Sequence, residues 1–87
     1  MHEQAVMKDL MRKLETEARS EGGRRVTRVR VRLGALSHFT AEHFREHFAD
    51  AARGTIADGA AVDAEVETDP TDAHADGVVL ESIELEL

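Results

Sequence analysis

The chain has 87 residues, 41% hydrophobic and 33% charged, with a net charge of -7 and no cysteine. This length fits one small domain over residues 1–87. The negative charge excludes a general binder of nucleic acids or anionic membranes, because attraction to phosphate needs an excess of Lys and Arg. The lack of cysteine excludes disulfides and thiolate metal sites. No apolar run is long enough for a signal peptide or a membrane span, so we expect a cytoplasmic protein.

The first three residues, Met1-His2-Glu3, can chelate a metal ion. The amine of Met1, the backbone nitrogen of His2 and the imidazole Nδ1 of His2 close fused rings in one plane. The Glu3 amide nitrogen supplies a fourth donor. A square of nitrogen donors suits Ni(II) or Cu(II), whereas Zn(II) prefers a tetrahedron. We therefore expect a metal site at Met1, His2 and Glu3.

A helix and a strand are predicted next. Apolar residues at three- and four-residue steps predict an amphipathic helix from about residue 2 to residue 19, which Gly22-Gly23 ends. Strict alternation over residues 24–33 then predicts a half-buried strand. Its inward residues are expected to be Thr27, Val29, Val31 and Leu33, and its outward residues Arg28, Arg30 and Arg32.

A second helix is predicted from about residue 41 to residue 53. Thr40 is suited to the N-cap, and Phe39 before it can pack onto Phe44 one turn into the helix. Phe48 continues the apolar stripe, and Gly54 ends the helix.

Two more strands complete a predicted αβαββ order, an α/β (α+β) fold. They lie near residues 61–67 and 79–87, and a polar loop from Asp69 to Gly77 joins them. The expected inward residues are Val62, Ala64, Val66, Ile83, Leu85 and Leu87. The acids on both strands complement the arginine strand, so we predict a three-stranded mixed sheet with that strand in the centre and both helices on one face.

The remaining histidines suggest weaker sites. His43 and His47 are four residues apart on the second helix, a spacing at which two imidazoles can share a metal. We favour exposed helix histidines, with the pair as the leading alternative if the N-terminal site fails. His38 is expected to serve a turn, and His74 in the polar loop is offered as an extra metal ligand. No combination of nucleophile, base and orienting group is present, so no enzyme is predicted.

Several stretches together resemble the HypA family, the nickel metallochaperones of [NiFe]-hydrogenase and urease maturation. The stretches are Met1-His2-Glu3, the run from Arg25 to Ser37, the helix with Phe44 and Phe48 ending in Arg53-Gly54-Thr55, and the closing Glu81 to Leu85. The resemblance implies that Met1, His2 and Glu3 bind Ni(II). It also implies two partners, the GTPase of hydrogenase maturation and an apo-nickel-enzyme subunit.

One departure from the family is large. Its members carry a zinc module with paired Cys-x-x-Cys motifs before the last strand, where this chain has only the loop 69–77, so no zinc is expected. The first interpretation is a metallochaperone that delivers Ni(II) to a nickel enzyme such as [NiFe]-hydrogenase. The alternatives are a zinc-less paralogue acting as a metal-independent adapter, and a sink for another square-planar metal. The sequence leaves monomer and dimer open.

Overall fold

The computed structural model describes residues 3–87 and confirms the predicted α+β fold. The helices are Glu3–Ser20 (α1) and Ala41–Ala52 (α2), and the strands are Arg25–Leu33 (β1), Ala61–Val66 (β2) and Val78–Glu86 (β3). The strand order is β2-β1-β3, with β2 parallel and β3 antiparallel to β1. The predicted central position of the arginine strand is therefore correct. Neither helix within residues 3–87 has the length and apolar character that a membrane crossing requires.

The core lies between the inward face of β1 and the two helices. Four residues of β1 are fully buried, and the largest buried side chains of the helices are Leu14, Phe44 and Phe48. The buried residues of β1 are Val26, Val29, Val31 and Leu33. Because the central strand has a neighbour on both sides, its inward side chains are shielded more completely than those of β2 and β3, which are half-buried or exposed.

Backbone geometry at the end of α1 explains the sharp turn into β1. Gly22 has a φ of +71°, a conformation that costs a residue with a Cβ about 1–2 kcal/mol. The Gly23 N–H donates to the Ala18 carbonyl at 2.8 Å, and the Gly22 N–H donates to Arg19 at 3.1 Å. This is the Schellman pattern that satisfies the last carbonyls of a helix. The chain can therefore reverse and place β1 antiparallel to α1.

The start of α2 agrees with the sequence prediction. The Thr40 hydroxyl accepts a hydrogen bond from the His43 N–H at 3.1 Å, so Thr40 is the N-cap. The rings of Phe39 and Phe44 meet edge to face at 5.6 Å between centroids, which fixes the entry of the chain into the helix. His38 has a φ of 65° in the preceding loop, in line with its predicted turn role.

Three inward predictions were wrong, one at a bulge and two at strand ends. Thr27 is exposed and Val26 is buried instead, because a bulge between Val26 and Arg28 shifts the alternation by one residue. Val66, the last residue of the edge strand β2, is 46% exposed. Leu87 is 77% exposed because β3 stops at Glu86.

The open face of the sheet carries ion pairs across the strands. Arg28 contacts Asp63 of β2 at 3.0 Å and Glu84 of β3 at 3.3 Å. Arg32 lies 3.9 Å from Glu81. These side chains are 32–68% exposed, so each pair contributes at most about 1 kcal/mol to stability. Their main effect is to favour the register in which unlike charges face each other.

The connection between β2 and β3 is pinned to the end of β1. The Gly34 N–H donates to Gly77 at 2.8 Å, and the Leu36 N–H donates to Ala75 at 2.6 Å. Ala75 is buried, and a Cβ at position 34 would overlap its carbonyl oxygen. The two segments can approach this closely only because residue 34 is a glycine.

Replacing Phe48 by Ala is expected to lower the free energy of unfolding by about 3–5 kcal/mol, because this side chain is 1% exposed and its loss leaves a cavity. Urea denaturation measures the change. Glu46→Ala on the exposed side of α2 is the control and should change stability by less than about 0.5 kcal/mol. Equal losses in the two variants would show that α2 does not pack through its phenylalanines.

Replacing Gly34 by Ala is expected to cost about 1–3 kcal/mol, because the new methyl group forces the 67–77 segment away from β1. Hydrogen exchange of the Leu36 amide should accelerate, since its acceptor is the Ala75 carbonyl. Gly77→Ala is the matched control, because its added Cβ meets only an ordinary contact of 3.9 Å. An unchanged Leu36 exchange rate in Gly34→Ala would contradict the close approach.

Candidate metal centre

The predicted chelate lies where the first helix begins. Met1 and His2 are outside the residues that the structure describes, and Glu3 is the first residue of α1. The first four N–H groups of an α-helix have no acceptor within the helix. The Glu3 amide nitrogen, the predicted fourth donor, is therefore not committed to a hydrogen bond of α1.

Both helices start at the same end of the molecule. α1 turns directly into β1 and α2 connects the parallel strands β1 and β2, so each helix runs antiparallel to β1 and the two run parallel to each other. A groove between them is lined by Gln4 near the start of α1 and by His47, Asp50 and Ala51 of the second half of α2. The first turn of α1 therefore shares a groove with the second half of α2.

His43 and His47 form a pair on α2. Their ring centroids are 4.4 Å apart with an interplanar angle of 61°. His43 is exposed, and its ring lies 6.2 Å from that of Phe39. His47 is half-buried and lines the groove between the two helices. Their closeness follows from the i, i+4 spacing on one helix face, at which two imidazoles can share a metal ion.

No larger ligand cluster occurs in the described part of the chain. Among the residues whose side chains the structure describes, 4–87, no three His, Cys, Asp or Glu side chains come together closely enough to hold a metal ion. Any site built there from protein side chains alone has at most two such ligands. The predicted N-terminal site avoids this limit, since three of its four donors are backbone nitrogens.

His74, the offered extra ligand, lies along the second half of α1. Its groove is lined by Arg12, Lys13 and Thr16 of that helix and by the start of β3. Arg12 is nine residues from Glu3, which corresponds to about 14 Å along a helix at about 1.5 Å per residue. His74 would have to cover most of this distance to join the N-terminal donors, so its role there stays a prediction.

Local hydrogen bonds hold the loop around His74 in shape. The Asp69 carboxylate accepts hydrogen bonds from the hydroxyl of Thr71 at 2.6 Å and from its backbone N–H at 2.9 Å. These bonds keep the pKa of Asp69 below its usual range. The Asp72 carboxylate accepts from the His74 N–H at 2.8 Å. Two successive Asx turns therefore oppose a large swing of His74.

The sequence prediction did not recognise that both helices start at the same edge of the sheet. The spacing of His43 and His47 was visible in the sequence, but nothing indicated that His47 shares a groove with Gln4 of α1. The signal was present in the predicted topology. A helix that turns directly into the central strand and a helix that follows that strand on the same face must start at the same edge.

Comparison with known proteins supports the resemblance along most of the chain. The sequence model of the HypA family, described as hydrogenase/urease nickel incorporation, metallochaperone, matches residues 1–75. A hydrogenase maturation factor HypA of Methylocella silvestris is 39% identical over 66 residues, which cover 76% of this chain and 58% of that protein. HypA 1 of Bradyrhizobium diazoefficiens is 40% identical over 62 residues, covering 71% and 55%. The chain thus spans somewhat over half the length of these relatives.

A solved structure shares the fold. The solution structure of the Ni metallochaperone HypA from Helicobacter pylori matches with a TM-score of 0.78 and 18% identity, covering 98% of this chain and 97% of the other. The family match includes Met1-His2-Glu3 at its first positions and extends past the second strand into the 67–77 loop. The chain belongs to the HypA family of nickel-incorporation metallochaperones, as its sequence predicted.

Proposed function

We propose that this protein is a nickel metallochaperone that binds Ni(II) through Met1, His2 and Glu3 and delivers it to a maturing nickel enzyme such as [NiFe]-hydrogenase. The observation that carries the proposal is the family match from residue 1, which includes all three residues. The family model is described as a metallochaperone, which favours a carrier over an enzyme.

The start of α1 favours such a chelate. Coordination by backbone nitrogens requires amide protons to leave, and a deprotonated amide inside a helix would break its hydrogen-bond ladder. At the N-terminal end the first N–H groups have no helical acceptor, so no ladder bond is lost. The positive end of the helix dipole also stabilises the negative charge left on an amide nitrogen. Both effects apply to Glu3, the first residue of α1.

The proposed domain organisation lacks the zinc module of the family. The chain contains no cysteine, and residues 67–77 connect β2 to β3 through a short loop with two Asx turns. We propose a single nickel-binding domain over residues 1–87 in which the loop 69–77 stands in place of the module, with Ni(II) and no zinc bound.

The partners follow from the delivery role. A carrier hands its ion to a protein that is still being assembled, so the proposed partners are the GTPase of hydrogenase maturation and an apo-nickel-enzyme subunit. We place this exchange in the cytoplasm. Nucleic acids and membranes are not proposed partners, because the net charge of -7 repels both.

A second candidate function rests on the missing cysteines. A paralogue that has lost zinc binding can persist as a metal-independent adapter that uses the open sheet face or the edge strands. Nickel binding separates the two functions. An adapter has no need for the N-terminal chelate, whereas the metallochaperone cannot work without it.

The test is a titration with Ni(II) of an untagged protein that starts at Met1. We expect one tight equivalent with the absorbance of square-planar nickel. The affinity should rise between about pH 6.5 and 8, because the imidazole and the α-amine must lose protons to bind. Elemental analysis of the purified protein should detect no zinc.

Two variants localise the tight site. His2→Ala removes the imidazole and should abolish square-planar binding. A Gly-Ser extension before Met1 keeps every side chain and removes only the terminal amine, and it should have the same effect. Replacing His43 and His47 together by Ala should leave the tight site nearly unchanged. A square-planar signal that survives the extension would refute the proposed site, and its absence from the native protein would favour the adapter.

A further inference from the structure

The two imidazoles on α2 already have the separation that a shared metal ion imposes. Metal–nitrogen distances are about 2.0–2.1 Å, and the ring centre lies about 1.2 Å beyond the nitrogen, so two imidazoles at 90° have centroids about 4.5 Å apart. The observed separation of the His43 and His47 rings is 4.4 Å. Side-chain rotation alone can therefore bring both rings onto one ion, with no change in the backbone.

The backbone beneath the pair is rigid. The N-cap bond to Thr40 fixes the first turn of α2, where the His43 N–H is the donor. On the opposite side of the helix, Phe44 and Phe48 are 0% and 1% exposed in the core. Because the N-cap bond and the buried phenylalanines hold the helix in place, the i, i+4 spacing of the histidines is set before a metal binds. Little conformational entropy is then lost on binding.

The surroundings admit a cation. His43 is exposed, and the groove that His47 lines carries Lys8 and Arg12 but also Glu15 and Asp50. Two positive and two negative side chains leave the groove close to neutral. The cation therefore meets no net repulsion from the groove, in a protein whose overall charge of -7 attracts it.

We propose that His43 and His47 form a second site for one divalent transition-metal ion, distinct from the N-terminal chelate. Two imidazoles suit Ni(II), Cu(II) or Zn(II) rather than Mg(II) or Ca(II). Among the residues whose side chains the structure describes, 4–87, no group of three His, Cys, Asp or Glu side chains is placed to hold a metal ion, so we assign two protein ligands to the site and water to the remaining positions. The site is weaker than a four-nitrogen chelate, and its water ligands can be exchanged for those of a neighbouring donor set.

The site lies where such exchange would be useful. His47 shares its groove with Gln4, close to the start of α1. If the proposed function holds, the pair can receive an ion before the chelate takes it or hold a second ion beside it. The metal site itself does not depend on that function, since neither ligand belongs to the N-terminus.

The experiment uses the protein with the Gly-Ser extension, in which the terminal chelate is disabled. Ni(II) is added alone and binding is followed by calorimetry and by NMR of the histidine ring protons. We expect one weak equivalent without a square-planar absorbance band. Paramagnetic broadening should be strongest at His43 and His47. Native protein should bind two equivalents, one square-planar and one not.

The critical variant moves one imidazole without changing the composition. His47→Ala combined with Ala49→His places the second ring roughly 120° around the helix from His43, where the two cannot share an ion. Residue 49 is exposed, so the exchange should not disturb the core. In the extended protein this variant should lose about a hundredfold in nickel affinity, because two linked ligands become two separate ones. His74→Ala is the control and should keep the affinity.

Three results would overturn the second site. These are no binding by the extended protein, unchanged affinity in the variant with the moved histidine, and broadening centred on His38 or His74. Each leaves the N-terminal chelate untouched. Conversely, a native protein without a square-planar signal but with one broadened equivalent at His43 and His47 would refute the proposed function and keep this inference.

Discussion

Burial of the inward face of β1 is the constraint on which the other features depend. Val26, Val29, Val31 and Leu33 are all fully buried, and one helix is too narrow to cover this strand and its two neighbours. Both helices must therefore lie on the same face. Since α1 turns into β1 and α2 leaves from it, both also run antiparallel to it. The parallel packing of the two helices, and with it the groove that His47 shares with Gln4 of α1, is a consequence of covering one apolar strand.

Much of this arrangement could be predicted from local patterns. Helical spacing, the Thr40 cap and the alternation in β1 indicated the elements, and the opposite charges of Arg28, Asp63 and Glu84 indicated the strand order. Local patterns fail where contacts with a neighbouring strand or helix determine the burial of a residue. The bulge at Thr27 depends on how β3 pairs with β1, and Val66 is exposed at the end of the edge strand β2.

The candidate site also has features that the sequence predicts and features that it does not. Donor chemistry is a property of residue type and order, so Met1-His2-Glu3 and the spacing of His43 and His47 can be read from the sequence. The surroundings of a donor cannot be read from the sequence in this way. His74 looked available because its loop is polar, yet hydrogen bonds at Asp69 and Asp72 shape that loop and the groove places it beside the second half of α1.

The contact between Gly34 and Ala75 fixes the point at which the β2–β3 connection returns to the sheet. Residues can therefore be inserted into that connection upstream of the contact. The chain returns to β1 at this contact before it enters β3, whatever path it takes after β2. Closing a longer loop costs only about 0.6 kcal/mol for each doubling of its length, so the segment upstream can grow or shrink with little effect on the sheet. A chain whose match covers 58% of a relative can thus keep the same sheet, and the same position offers an attachment point for a grafted module.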